Sequence, residues 1–171
     1  MKKRLITAIP IVIMAFLIFH FSAKTGEQST GNSIYVTEQL DLLFQGNLVE
    51  SGKFSLEGLN HYIRKLAHVS EYAIFACFAV IHMFTWVEEK KRVYWLAVLI
   101  SITYAATDEF HQLFVPGRSA EVRDVCIDGI GALIGAFISV VIITRSMEPL
   151  DGMVEAAQKY KVPILIKISY N

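Results

Sequence analysis

Nine ionisable residues that could do chemistry gather at one end of a set of long apolar segments. They are Lys65, His68, Glu71, Asp108, Glu109, Arg118, Arg123, Asp124 and Asp128. Charges within or at the border of a membrane span are costly, so they are usually paired or functional. Lys65, His68, Glu71 and Tyr72 recur at spacings of three or four, which aligns them along one side of a helix. His68 near Glu71 has the makings of a general base or acid, because a carboxylate fixes the imidazole tautomer and raises its basicity. Lys65, Arg118 and Arg123, assisted by Gln112, could grip a phosphate or carboxylate, since the arginine fork suits both. Asp108, Glu109, Asp124 and Asp128 could titrate or hold a hard cation such as Mg²⁺ or Ca²⁺. Their spacing matches no metal motif and there is no H-E-x-x-H, so the cation signal is weak.

Asp124, Asp128, Gly131 and Gly135 fall at i, i+4, i+7 and i+11, so one helix face carries two carboxylates and then two glycines. Glycines four apart let membrane helices approach closely, which turns the carboxylates into a bundle rather than towards lipid. Two readings remain. The charges could line a chemical pocket, or Lys65 and Arg118 could pair with Glu71 and Asp108 as a network that locks the helices together. Spacing alone does not separate them. No serine or cysteine has a convincing neighbouring base, since Ser70 faces away from the His68 side. His20, His61 and His82 read as interfacial.

The elements that must position these residues follow from composition. The chain has 171 residues, 54% hydrophobic, too apolar for an ordinary soluble domain and suited to a small, one-domain, all-α polytopic membrane protein. With 16 Lys+Arg against 16 Asp+Glu and no basic stripe interleaved with aromatics, no nucleic-acid partner is expected. Cys77 and Cys126 both fall inside apolar segments and imply no disulfide. Four spans are expected, at about 5–21, 66–86, 93–107 and 125–144, each measured against the roughly 20 residues needed to cross a bilayer core. The first is read as an uncleaved span rather than a signal peptide, because the bulky Phe19-His20-Phe21 occupies the place where a cleavage site needs small residues.

Lys2, Lys3 and Arg4 at the start, and Lys90, Lys91 and Arg92 in the tight turn, place both termini in the cytoplasm. Arg145, Lys159, Lys161 and Lys167 lie on that same side. The chemical residues then face outward. The outer loop, about 22–65, opens on the polar run Ser22 to Ser29 and continues as an amphipathic piece around Ile34 to Phe44. The stretch Phe54 to Leu59 leads into the second span, with Ser55 as a helix N-cap. Leu56, Leu59, Ile63 and Leu66 recur near helical spacing, so that helix should begin before the membrane. Pro116-Gly117 marks a turn in the second outer loop. Residues 1–146 form the transmembrane domain and 147–171 a cytoplasmic tail, in which 150–160 could make a short helix. A four-helix unit this small is compatible with a homo-oligomer, though no residue pattern decides it.

Three blocks resemble the VanZ-like family of small membrane proteins. Lys65-Leu66-Ala67-His68-Val69-Ser70-Glu71-Tyr72 is similar to the family's K-x-x-H-x-x-E-[YF]. Asp108 to Arg118 is similar to D-E-x-x-Q-x-F-x-x-x-R, and Asp124 to Gly131 to D-x-x-x-[ND]-x-x-G. The Phe21-Ser22 to Ser33 stretch resembles the Ser-rich segment after the family's first span. The resemblance covers about Leu5 to Thr144. Asp128 stands where the family often has Asn, which adds a charge and leaves open whether this position titrates. The resemblance implies a multi-pass cell-envelope protein, and the namesake is associated with low-level teicoplanin resistance. Some members carry a phosphotransbutyrylase label, but a soluble acyl-phosphate transfer calls for a cytoplasmic site and this constellation faces outward.

Three functional expectations follow. The protein could be an enzyme acting on a lipid-linked or surface-exposed envelope precursor, or a binder of membrane lipid, glycopeptide or a membrane partner. In the third, its charges simply hold the bundle together, and losing one partner of a buried pair would cost about 3–5 kcal/mol.

Overall fold

The computed structural model describes residues 1–44, 49 and 55–159, with side chains described as far as residue 147. Five helices follow one another: α1 Lys2–Ser22, α2 Gly26–Leu43, α3 Leu56–Met83, α4 Lys90–Gln112 and α5 Val122–Lys159. No strand occurs among the described residues. The all-helical expectation therefore holds. Phe54, Lys53, Tyr160, Lys161 and Lys167 lie outside the described residues.

Three helices are long and apolar enough to cross a membrane: α1, α3 and the part of α5 from Val122 to Met147. The chain is a membrane protein. α4, expected as the third of four spans, does not reach that mark by composition. Its apolar stretch, Val93 to Thr107, is closed in by Lys90-Lys91-Arg92 on one side and Asp108-Glu109 on the other. Ser101, Thr103 and Thr107 dilute it further.

Small side chains allow the helices to pack. Ala76, Ala79, Val80, Val93, Ala97, Val98, Ala132 and Ala136 form a buried cluster shared by α3, α4 and α5. The α3–α5 contact is the most extensive in the molecule. Gly131 and Gly135 make it possible: a Cβ at Gly131 would run into the Val69 carbonyl, and one at Gly135 into the Ala73 carbonyl. The two glycines thus do what their spacing predicts. Ile18 joins α1 to Tyr72, Phe75 and Ala105 in a second cluster, and the Tyr104 hydroxyl donates to the Ala15 carbonyl at 2.6 Å. The outward side chains of α1, among them Leu5, Ile6, Val12 and Phe16, stay exposed, as helices facing lipid require.

The connection between α1 and α3 is more ordered than its polar opening suggests. The run Ser22 to Ser29 is not an irregular lead into a piece around Ile34 to Phe44; one helix covers Gly26–Leu43. Its start is a capping box, in which the Gln28 N–H donates to Thr25 Oγ1 at 3.3 Å and Gln28 Oε1 accepts from the Thr25 N–H at 3.4 Å. α2 is then tied down at both flanks. The Gly26 N–H donates to the Pro116 carbonyl at 3.0 Å, and the Thr37 hydroxyl to Asn60 Oδ1 at 3.3 Å. Gly117 has φ of 74°, the left-handed conformation the turn needs. Ser55 caps α3 as expected, accepting from the Gly58 N–H at 3.0 Å. At the other end α5 continues unbroken to Lys159, so residues 150–159 prolong that helix rather than form a separate one.

Candidate functional site

Four helices contribute to one polar end: the last turn of α1, the second and third turns of α3 onward, the last turn of α4 and the first turns of α5. Lys65 on α3 donates to Asp124 Oδ1 on α5, both side chains being about one-fifth exposed at 22%. One helical turn deeper, His68 Nδ1 stands 3.8 Å from Asp128 Oδ1. That is too long for a hydrogen bond, and each atom is buried without another protein partner. The carboxylate facing the imidazole is therefore Asp128, from the neighbouring helix; Glu71, three residues on along α3, makes no hydrogen bond to it. Lys65 likewise pairs with Asp124, not with the Glu71 or Asp108 that a packing network was expected to use.

The α4 carboxylates are more completely held. Asp108 Oδ2 accepts from the Ser22 hydroxyl at 2.6 Å and from Gln112 Nε2 at 3.1 Å. Glu109 accepts from Gln112 Nε2 at 3.2 Å and from the Glu121 backbone N–H at 3.1 Å. Asp108, Glu109, Gln112 and Asp128 are all buried. Burying a carboxylate costs several kcal/mol unless hydrogen bonds or cations compensate. Here compensation is unequal: complete for Glu109, one-sided for Asp108, whose Oδ1 has no partner, and lacking on Asp128 Oδ1.

An open cavity of about 590 Å³ lies above these groups. Its wall includes Lys65, His68, Gln112, Arg118, Arg123 and Asp124, together with Gly26, Glu27 and Thr30 from α2. Six of the expected residues therefore share one space. Glu71 instead lines an adjoining cleft of about 260 Å³ with His68 and Arg118. Asp108, Glu109 and Asp128 sit behind the wall. Arg123 is mostly exposed and occupied by Glu121 at 3.1 Å. Arg118, in the loop between α4 and α5, is held below the usual arginine value, first by burial and next by the nearby Arg64.

Two contributors are not among the residues expected of the site. Arg64 lines both cavities, although its place four residues before His68 already put it on the same helix face. Ser22, taken as the start of a polar loop, is buried and donates to Asp108. Nothing in a lone serine could announce that; the contact depends on how the end of α1 meets α4. Among the described residues no group of three or more His, Cys, Asp or Glu side chains is arranged to hold a metal ion.

Residues 7–143 match the VanZ/LLP1 family. The chain belongs to the VanZ/LLP1 family. The match spans α1 through most of α5, and so includes every residue of the polar end. No curated protein and no solved structure matches the chain. For this VanZ/LLP1 protein the polar end is thus read from its own geometry: a cavity that presents cations and an imidazole, backed by buried carboxylates.

Proposed function

We propose that the chain is a cell-envelope protein whose outward-facing polar end takes a lipid-linked or surface envelope component by an anionic group, and so affects susceptibility to glycopeptides such as teicoplanin. The observation that carries this reading is the open cavity of about 590 Å³ with Lys65, His68 and Arg118 in its wall. Cations at such a wall attract phosphate or carboxylate. His68, in that wall, stands 3.8 Å from Asp128 behind it, close enough for a small shift to pass a proton between them or from His68 to a bound ligand. In this reading Lys65, Arg118, Arg123 and Gln112 hold the anion. His68, Glu71, Asp108, Glu109, Asp124 and Asp128 supply proton transfer and orientation.

The proposed topology has four crossings, with α4 as the third and both termini cytoplasmic. A helix of 23 residues is about 35 Å long, enough for a core of about 30 Å, and α4 packs against both α3 and α5. The basic clusters Lys2-Lys3-Arg4 and Lys90-Lys91-Arg92 favour the cytoplasm for the opposite end. Single cysteines placed at Ser119 and at Glu88, in a background without Cys77 and Cys126, test it. Impermeant maleimide applied to whole cells should label the first and not the second.

A second reading, in which the charges serve only packing, draws on the paired Lys65–Asp124 and Ser22–Asp108–Gln112 contacts. Teicoplanin susceptibility of His68→Ala and Arg118→Ala, normalised to membrane abundance by blot, separates the two. Loss of phenotype at full abundance supports the site. Undiminished phenotype at full abundance for both overturns it, and depletion of both variants transfers the case to packing.

A further inference from the structure

Four cations reach the larger cavity: Arg64, Lys65, Arg118 and Arg123. Two are neutralised within the protein, Lys65 by Asp124 and Arg123 by Glu121. Arg64 and Arg118 form no ion pair among the described residues. Asp108, Glu109 and Glu71 attract Arg118 only from beyond ion-pair distance, while Arg64 repels it. Arg118 Nε is buried with no protein partner. Two guanidinium groups that share a boundary and form no ion pair are unfavourable until an anion bridges them, and the bidentate fork of each is matched to phosphate oxygens.

That boundary separates two unlike spaces. Arg64, His68 and Arg118 belong to the walls of both cavities. On one side lies the larger cavity, whose wall carries most of the charged side chains. On the other, the cleft of about 260 Å³ runs between α2, α3 and the end of α1, and its surface is mainly apolar, with Phe21, Val36, Ile63 and Ala67. Phe21 and Val36 are each 47% exposed, so the cleft reaches the flank of the bundle, where a hydrocarbon chain would pass into lipid. A free anion needs only the first space. The second matches a ligand that carries a chain on its phosphate.

We propose that Arg64 and Arg118 clamp the phosphate of an amphiphile whose headgroup occupies the larger cavity and whose chain leaves through the cleft between α1 and α2. This rests on the reading that the polar end takes an anionic lipid-linked component, and it adds a residue, Arg64, a direction and a substrate class. The four occupied partners stay as they are; the ligand completes the two arginines that have none.

The test uses the full chain in phosphatidylcholine nanodiscs, with hexadecyl phosphate at fixed mole fraction or inorganic phosphate as probe. Unfolding temperatures report whether each variant is folded. Hexadecyl phosphate should bind more tightly than inorganic phosphate. Arg64→Ala and Arg118→Ala should each weaken both by about tenfold or more, and Arg64→Lys should weaken them too, because lysine lacks the fork. Val36→Trp, which blocks the cleft at an exposed position, should weaken hexadecyl phosphate alone. If the wild type retains neither probe, the anionic-ligand reading itself falls. If it binds hexadecyl phosphate and Arg64→Ala binds it equally well, the clamp falls and that reading stands. Equal affinity for both probes, unmoved by Val36→Trp, would mean a free-phosphate site and would overturn the amphiphile.

Discussion

His82 and His68 lie towards opposite ends of α3, and their surroundings differ in kind. His82 is answered on both ring nitrogens. Trp86 Nε1, which can only donate, reaches His82 Nε2 at 3.1 Å. That leaves the proton on Nδ1, which meets Thr7 Oγ1 at 3.0 Å. The Thr7 hydroxyl in turn donates to the Lys3 carbonyl at 3.0 Å. Beside it Arg4 donates to the Thr85 carbonyl at 3.2 Å and stacks over Trp86 at 3.8 Å. His68 has only the distant Asp128. Of the buried side-chain atoms left without a protein partner among the described residues, all but Thr144 Oγ1 belong to the polar end: His68, Tyr72, Asp108, His111, Arg118 and Asp128. Both ends pack the same helices in the same chain, so crowding cannot explain the contrast. A polar cluster that serves only to join α1 to α3 closes on itself; one that opens onto a cavity leaves atoms for something else to satisfy.

That contrast can be broken most severely where the two helices that build the polar end are pressed together. Gly131→Leu places a side chain against the Val69 carbonyl, and backbone cannot retreat as a flexible side chain could. Overpacking of this kind costs about 3 kcal/mol or more. Membrane abundance should fall sharply, and the unfolding temperature in detergent should drop. Normal abundance would mean that α3 and α5 are not held at this separation, and that the polar groups need not converge as described.

Asp108→Ala comes next. It strips the Ser22 hydroxyl and Gln112 of a buried acceptor, for a loss of about 1–3 kcal/mol. Unfolding by heat in detergent should register it, whereas Asp108→Asn, which keeps an acceptor oxygen, should recover much of the difference. Equal stability of the two would remove Asp108 from the structural part of the polar end and leave it to the site.

The fold was legible where the signal is local or periodic. The Lys65-His68-Glu71 spacing aligned three candidate residues on one face of α3, Ser55 marked its first turn, and the Gly131–Gly135 interval marked the closely packed face of α5, though not α3 as its partner. Thr25 and Gln28 also carried a local signal, the capping box, but it lay inside a polar run that reads as loop. The partner of each charge was not legible. Lys65 could meet Glu71 on its own helix or Asp124 on another, and only the rotation of α5 about its axis decides for Asp124. Ser22 shows the same limit, since its value depends on the position of Asp108 across a helix boundary. α4 was legible as a helix but its crossing is not shown by composition, and for a physical reason: one face is buried against protein, so it can carry Ser101 and still pack, and average hydropathy no longer reports its environment.

At the closed end the expected effect is smaller and confined to stability. Thr7→Val removes the oxygen that His82 Nδ1 meets, a loss of about 1 kcal/mol, visible as a modest fall in unfolding temperature. Teicoplanin susceptibility, normalised to abundance, should not change. A changed phenotype at unchanged abundance would show that this end also acts on something outside the protein, and the contrast between the two histidines would lose its meaning.

Arg118→Ala sharpens the contrast because it should do the reverse. Its backbone N–H bonds to the Val115 carbonyl and is kept in the variant. Its side chain forms no ion pair among the described residues, and its charge is repelled by Arg64. Removing it discards a half-buried cation that its carboxylate neighbours attract only from beyond ion-pair distance, so stability should stay within about 0.5 kcal/mol of the wild type or rise, while the abundance-normalised phenotype is lost. Thermal unfolding and susceptibility measured on the same preparations would then cross: Thr7→Val lowers the first and spares the second, Arg118→Ala spares the first and removes the second. A fall of about 2 kcal/mol or more for Arg118→Ala would place this arginine among the packing contacts. The polar end would then be an imperfect version of the closed one rather than a site, because an arginine that stabilises the empty protein already has the partners that a ligand was needed to supply.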